Sequence, residues 1–348
     1  MKKTLLALAV VAAAGSVNAA EILKTDNGSV DFYGQLRTEL KFLDGNDHSA
    51  DLSSGSSRMG IDAQYALTDE LSILGLVEVG VRDNSDVNVR QHIFGFATKD
   101  AGTVKFGKQW TTSDDVYGAD YSYFFGGSAL FYGTLNGAEH DSHIKYSLEQ
   151  DNFWLKAGIG LDENDTNNEL YELFVGTTVA DNLALHAGIG QDTYHSYDED
   201  TEALIADVTN TYFEVTAEYT FGDALVGATY YYAELENNNG NQKVDSNGLS
   251  LAGMVKVADK TTMYAGYEFV KLDANNSAVE FFETDEDDSN VFYLGAEYKM
   301  ASWARVYAEY GYADGATLGF SNKASDTFVP AQIADGESNF AIGARVYW

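Results

Sequence analysis

The side chains with the most chemical potential are carboxylates. Two runs, "DEDTE" from Asp198 to Glu202 and "ETDEDD" from Glu283 to Asp288, set acids close enough to take Ca²⁺ or Mg²⁺ through oxygen. Neither has the spacing or the glycine of an EF-hand loop, and like-charge runs in loops are ordinarily solvated. No metal site is expected. The six histidines, among them His48, His140, His186 and His195, form no HExxH pair and face no obvious serine partner. There is no phosphate-binding loop and no dinucleotide fingerprint, so neither an enzyme nor a cofactor is expected. What remains is the chemistry of fixed charge. The formal net charge of −33 excludes nucleic acid, which needs a basic footprint. It fits an acidic, solvated surface, or a field that favours cations.

Strands must position these charges. The hydrophobic period is two nearly throughout. In "VDFYGQLRTELKF", Val30, Phe32, Leu36, Leu40 and Phe42 share one face, and Asp31, Tyr33, Gln35, Arg37, Glu39 and Lys41 the other. "YFEVTAEYTF" and "MYAGYEF" repeat the pattern, and no convincing amphipathic helix appears. Sixteen strands are predicted, at 29–42, 57–67, 71–81, 88–98, 102–110, 142–149, 152–160, 169–179, 183–194, 211–221, 224–235, 248–258, 261–272, 290–299, 303–313 and 339–348. Their connections alternate between two or three residues and long loops, the longest being 111–141. An even number of alternating strands, with short turns at one end and long loops at the other, defines an all-β, up-and-down antiparallel transmembrane barrel. Only a closed barrel leaves no unpaired sheet edge in lipid. It also places polar side chains inside and apolar ones outside.

The ends fit this reading. "MKKTLLALAVVAAAGSVNA" has two lysines, an apolar run too short for the ~20 residues of a membrane span, and small residues at Val17 and Ala19. Residues 1–19 read as a cleaved signal peptide, and 20–348 as one barrel domain. Losing Lys2 and Lys3 takes the formal charge from −33 to −35. At the other end, "NFAIGARVYW" alternates to the last residue. A strand of that kind needs a partner, and pairing with the first strand closes the ring. Trp348 is then expected in the aromatic girdle at the short-turn end.

Several stretches resemble the general porins of Gram-negative bacteria, the trimeric sixteen-stranded type. They are "AEILKTDNGSVDFYGQL", "SRMGIDAQYALTDELSILGLVEVGV", "GTVKFGKQW" and "IGARVYW". The resemblance is clear over about residues 20–130 and at the last strand, and rests on strand pattern between. It implies that the third long loop folds into the lumen, where its acids face a basic wall. Arg58 in "SRMG" and Arg90 in "VRQHIFGF" match wall arginines, Glu78 in "LVEVG" matches an inward acid, and Asp120 in "ADYSYFFGGS" matches a loop acid. The first-strand wall lysine is Gln35 here, with Arg37 on the same face two residues on. The second loop acid is Phe124, and Lys145 lies on the inward face where an arginine is missing. The expected constriction is Arg37, Arg58, Arg90, Glu78 and Asp120, with Tyr121, Tyr123 and Phe124 as loop lining. Gly343, Tyr347 and Trp348 match the ending that serves closure and assembly.

The expected function is passive diffusion of small hydrophilic solutes and ions across the outer membrane. Substrate-specific (for example sugar) channels and barrels that act mainly as surface adhesin or envelope-integrity proteins stay open as alternatives. The expected partners are two further copies in a homotrimer, the bilayer and lipopolysaccharide of the outer membrane, and the solutes. On the predicted lumen face acids outnumber bases: Asp31, Glu39, Glu78, Glu214, Glu218, Glu268, Glu297, Glu309 and Asp120 against Arg37, Arg58, Arg90, Lys145 and Arg345. That imbalance predicts a modest preference for cations.

Overall fold

The computed structural model describes residues 20–44, 50–81, 87–127, 129, 135, 137–162, 169–197, 204–275, 287–317 and 332–348. The signal segment, His48, most of both acid runs and residues 318–331 lie outside them. The strands are β1 (Ala20–Thr25), β2 (Gly28–Phe42), β3 (Asp51–Ser53), β4 (Arg58–Ala66), β5 (Leu71–Val81), β6 (Val87–Thr98) and β7 (Gly102–Trp110). After the helix α1 (Thr112–Val116) come β8 (Glu139–Glu149), β9 (Phe153–Gly160), β10 (Leu170–Ala180), β11 (Leu183–Tyr197), β12 (Leu204–Phe221) and β13 (Ala224–Asn237). Then follow β14 (Lys243–Ala258), β15 (Thr261–Ala274), β16 (Asp288–Ala301), β17 (Ala304–Thr317) and β18 (Gln332–Tyr347).

From β4 onward each strand pairs antiparallel with the next, β18 pairs with β2, and β2 pairs with β4. These sixteen strands close a barrel. Each of the sixteen predicted strands is present, several of them longer at the long-loop end. β12 begins at Leu204 rather than 211, and β18 at Gln332 rather than 339. Three short elements were not anticipated: β1, β3 and α1. All three are local additions to the ring or to the third loop.

The seam is informative. β18 pairs with β2 from Phe340 opposite Phe42 down to Tyr347 opposite Gln35. Trp348 then exchanges two backbone hydrogen bonds with Gly34, at 3.0 and 3.1 Å. Its indole lies where a side chain on Gly34 would be, 2.3 Å from an added Cβ, and packs beside Phe32 with centroids 6.0 Å apart. Below that point β1 takes over the same edge of β2, with Ala20 opposite Phe32. The first described residues and the last thus share one strand edge, end to end.

The packing is inverted relative to a soluble protein. Leu36, Ile61, Val215, Leu251 and Ile342 are 44–55 % exposed on the outer face. Gln35, Glu39, Glu78, Glu268 and Glu309 are buried on the inner one. Near the short turns, outward Tyr65, Phe153, Tyr219, Phe221, Tyr298 and Trp303 form an exposed aromatic belt, the arrangement that suits a membrane–water interface.

Candidate functional site

The lumen is divided by the third long loop, which leaves β7 at Trp110 and rejoins the wall at β8. Its irregular backbone has no ladder to satisfy its N–H groups, and buried donors need partners. Wall carboxylates supply them. Glu172 on β10 accepts from the N–H groups of Thr112 and Ser113, at 2.6 and 2.8 Å. Glu309 on β17 accepts from Tyr123 at 2.6 Å and Phe125 at 2.7 Å, with Phe124 at 3.2 Å. Glu268 on β15 accepts from Gly127 at 2.5 Å and Ala129 at 3.0 Å. Asp192 on β11 accepts from Leu135. Hydroxyls join in: Thr229 accepts from Ala119 N–H, Ser250 donates to Ala119 carbonyl, and Tyr293 accepts from Tyr121 N–H. The loop is therefore fastened along the arc from β10 to β17. The strands β2 to β9 complete the other side of the ring, and β8 and β18 also touch the loop, through Lys145 and Arg345.

That opposite arc carries the predicted basic residues. Arg90 donates from Nε to Glu78 Oε1 at 3.0 Å, and Arg58 Nε stands 3.5 Å from Oε2 of the same carboxylate. Tyr33 donates its hydroxyl to Glu78 at 3.1 Å, and the Arg90 guanidinium lies 4.6 Å from the centre of the Trp110 ring. The structure thus brings Arg58, Arg90 and Glu78 together. Arg37 on β2 is directly opposite Arg345 on β18, and Arg345 is opposite Arg305 on β17. Like charges in register repel; here aromatic faces and one acid accommodate them. Arg345 lies 4.6 and 4.9 Å from the Tyr123 and Tyr307 ring centres and donates to Tyr307 hydroxyl at 2.8 Å. Arg305 bonds Glu297 at 2.8 Å. Gly343 makes room for Tyr307, whose ring atoms stand 2.3 Å from where a Cβ would be.

The loop residues are placed differently from expectation. Asp120 is 2 % exposed and accepts from Ser122 N–H at 2.8 Å and Ser122 hydroxyl at 3.1 Å. It is turned into the loop on the Tyr293 side rather than toward the arginines. Phe124 is 2 % exposed, packed against Tyr307 and Phe125. Tyr121 donates to Glu218 at 2.6 Å. Tyr123 stacks on Tyr307 at 4.1 Å and bonds Glu297. These rings hold the loop to the wall. Glu218, Glu268, Glu297 and Glu309, counted above as lumen charges, are contacts of the loop.

The loop acid that meets the basic arc is Asp115. Its Oδ2 is 2.5 Å from Lys145 Nζ, on β8. Burial alone would raise its pKa; Lys145, Lys156 and Lys105 outweigh that and hold it below the ordinary carboxylate value. Asp115 sits in α1, whose N-cap Thr111 accepts from Asp114 N–H at 3.3 Å. "TTSDD" carries that capping pattern and was the available signal. Among the histidines, His186 stands 3.4 Å from Glu214, His195 3.3 Å from Asp207, and the His140 and His143 rings lie 5.9 Å apart. Among the described residues no three His, Cys, Asp or Glu side chains are placed to share a metal ion.

A closed antiparallel barrel with an apolar outside, a charged inside and a loop folded across its lumen is a membrane channel of the outer-membrane type. A family model described as Gram-negative porin matches residues 5–318, and the chain belongs to that family. Porin-like protein H of Photobacterium profundum is 25 % identical, over 90 % of this chain and 95 % of its own length. The major outer membrane protein of Pasteurella multocida is 27 % identical, over 90 % and 93 %. Among solved structures, OmpT of Vibrio cholerae, folded in vitro, is 55 % identical with a TM-score of 0.83, covering 94 % of this chain and all of that one. Its trimer form gives 0.84 over 93 % and 100 %. The chain is an outer-membrane porin, crossing the membrane with sixteen strands.

Proposed function

We propose that the protein is a general diffusion channel for small hydrophilic solutes and ions, assembled as a homotrimer in a lipopolysaccharide-bearing outer membrane. The observation that carries the reading is the fastening of the third loop along one arc by Glu172, Glu268 and Glu309. A loop fastened to one side of the wall in this way narrows a lumen rather than plugging it. Arg37, Arg58, Arg90 and Glu78 form the opposite side of the proposed constriction. Asp115 supplies charge from the loop side. Acids on one side and arginines on the other give a transverse field, along which cations and anions take separate paths. The narrow section is then close to balanced, and the acidic surface tips the whole toward a modest cation preference that falls with salt. The trimer form of a 55 % identical relative supports the assembly. Residues 1–19 act as the export signal, and Gly343, Tyr347 and Trp348 serve closure. No catalysis, metal or cofactor enters the reading.

A planar-bilayer recording tests it. Stepwise conductance proportional to bulk salt, with no saturation by any single sugar, is the expected result. Little conductance would favour an adhesive or structural barrel, and saturable block by one solute a specific channel.

A further inference from the structure

The basic residues of the opposite arc fall into two groups. Beyond the arginines, three lysines share the lumen face nearer the short turns: Lys105 on β7, Lys145 on β8 and Lys156 on β9. Lys105 is directly opposite Lys145. Lys156 is opposite Ser147, two residues along β8 from Lys145. Opposed side chains in a sheet start about 5 Å apart and diagonal ones about 7–8 Å. Three ammonium groups on flexible stems can therefore converge on one small volume. A register pair of like charges is unfavourable by itself, so the cluster calls for an anion.

Part of that anion is built in. Asp115 of α1 bonds Lys145, which also lies 3.5 Å from the Thr111 carbonyl and is 4 % exposed. Asp115 leaves a surplus. Among the described residues Lys105 and Lys156 make no ion pair within 4.0 Å; the Lys156 ammonium lies only 5.9 Å from the Trp154 ring. Asp62 on β4, the other acid that acts on Lys105, is itself exposed. Both lysines are partly exposed to the lumen.

We propose that Lys105, Lys145 and Lys156 form an anion subsite on the short-turn side of α1, taking compact multivalent oxyanions of the phosphate type. It rests on the channel reading above, because a site on the lumen face acts on permeating solutes only where the lumen conducts. The donors decide the class. Arginine offers a planar fork that matches a carboxylate, whereas lysines are point charges that can approach a tetrahedral anion from several sides. Asp115 offsets only one of the three ammonium charges, and the surplus attracts an anion of two charges more strongly than a monovalent one.

The test uses the reconstituted full-length channel in KCl at pH 8, with inorganic phosphate or acetate added at equal concentration. Phosphate is expected to reduce the current in a saturable way, and acetate is not. In the Lys105→Gln/Lys156→Gln double variant the half-blocking phosphate concentration is expected to rise at least about fivefold. Lys108→Gln is the control: Lys108 lies outside the cluster, bonded to Asp141 at 2.7 Å, and its removal should leave that concentration unchanged. Equal block of the unmodified channel and the double variant, equal block by phosphate and acetate, or no block in a conducting channel would overturn the subsite. Calorimetric titration of phosphate into the detergent-solubilised protein separates the two readings. Lysine-dependent binding in a protein that conducts nothing would keep the subsite and sink the channel; neither binding nor conductance would sink both.

Discussion

Glu309 accepts from three consecutive N–H groups of the loop and from Tyr264 hydroxyl at 3.0 Å. Glu309→Ala leaves those buried donors unpaired, a loss on the order of 3 kcal/mol in loop anchoring. The expected outcome is a noisier open channel and faster proteolysis within 111–138, with Glu309→Gln intermediate. Single-channel recording and limited proteolysis check this. Asp115 makes a prediction about pH. Its folded pKa is depressed, so its contribution is fully present above the ordinary carboxylate value near 4 and is lost as pH falls through the lower folded one. Conductance in KCl should therefore show no Asp115-dependent change between pH 7 and 5, whereas Asp115→Asn should differ from the parent across that range. An equal response of the two at pH 7 would remove Asp115 from the lumen. At this scale strand residues were legible and loop residues were not. Arg58, Arg90 and Glu78 lie on strands, where alternation fixes the facing side, and their side chains meet on the wall. Asp120 and Asp115 lie in a loop, where local turns and wall partners rather than strand alternation set whether an acid meets Lys145 or bonds within the loop.

At the scale of elements, the sixteen long strands were readable because each carries several periods of alternation. β1, β3 and α1 were not, because elements of three to six residues hold too little periodicity to separate from loop. Their positions depend on neighbours: β1 and β3 both lie along β2. Strand length was also underestimated, since the extensions of β12 and β18 toward the long loops lack the apolar outward face that marks the rest of each strand. The last strand supports a strong prediction. Deleting Tyr347 and Trp348 removes the two backbone bonds to Gly34 and the ring that covers it. Heat-modifiable folded barrel on gels should nearly vanish; normal yield would show that the seam closes without them. Gly343→Val should destabilise by about 2 kcal/mol, through overpacking against Tyr307. A shift in thermal unfolding measures it.

At the scale of the molecule, charge and assembly each have a direct measurement. The cation preference should appear as a reversal potential across a KCl gradient. It should shrink as ionic strength rises, because screening at ~0.15 M already acts over about 8 Å. Arg58→Ser should move it further toward cations and raise conductance. Anion selectivity of the unmodified channel at low salt would refute the charge argument. Light scattering in mild detergent should give the mass of three chains; a clean monomer would refute the trimer.

The meeting of β1 and β18 along one edge of β2 also governs how such a molecule can come into being. Phe42 and Phe340 are neighbours in space but nearly a whole chain apart in sequence. Every other pairing of the sixteen long strands joins consecutive strands and can zip locally; this one alone must wait for a loop of nearly the entire polypeptide to close, which is slow. Until it does, the sheet has two bare edges, each a template for a stray strand. Newly exported chains are therefore expected to need an escort during that interval. A chain stalled before its last strand is not a narrower pore but an aggregation hazard.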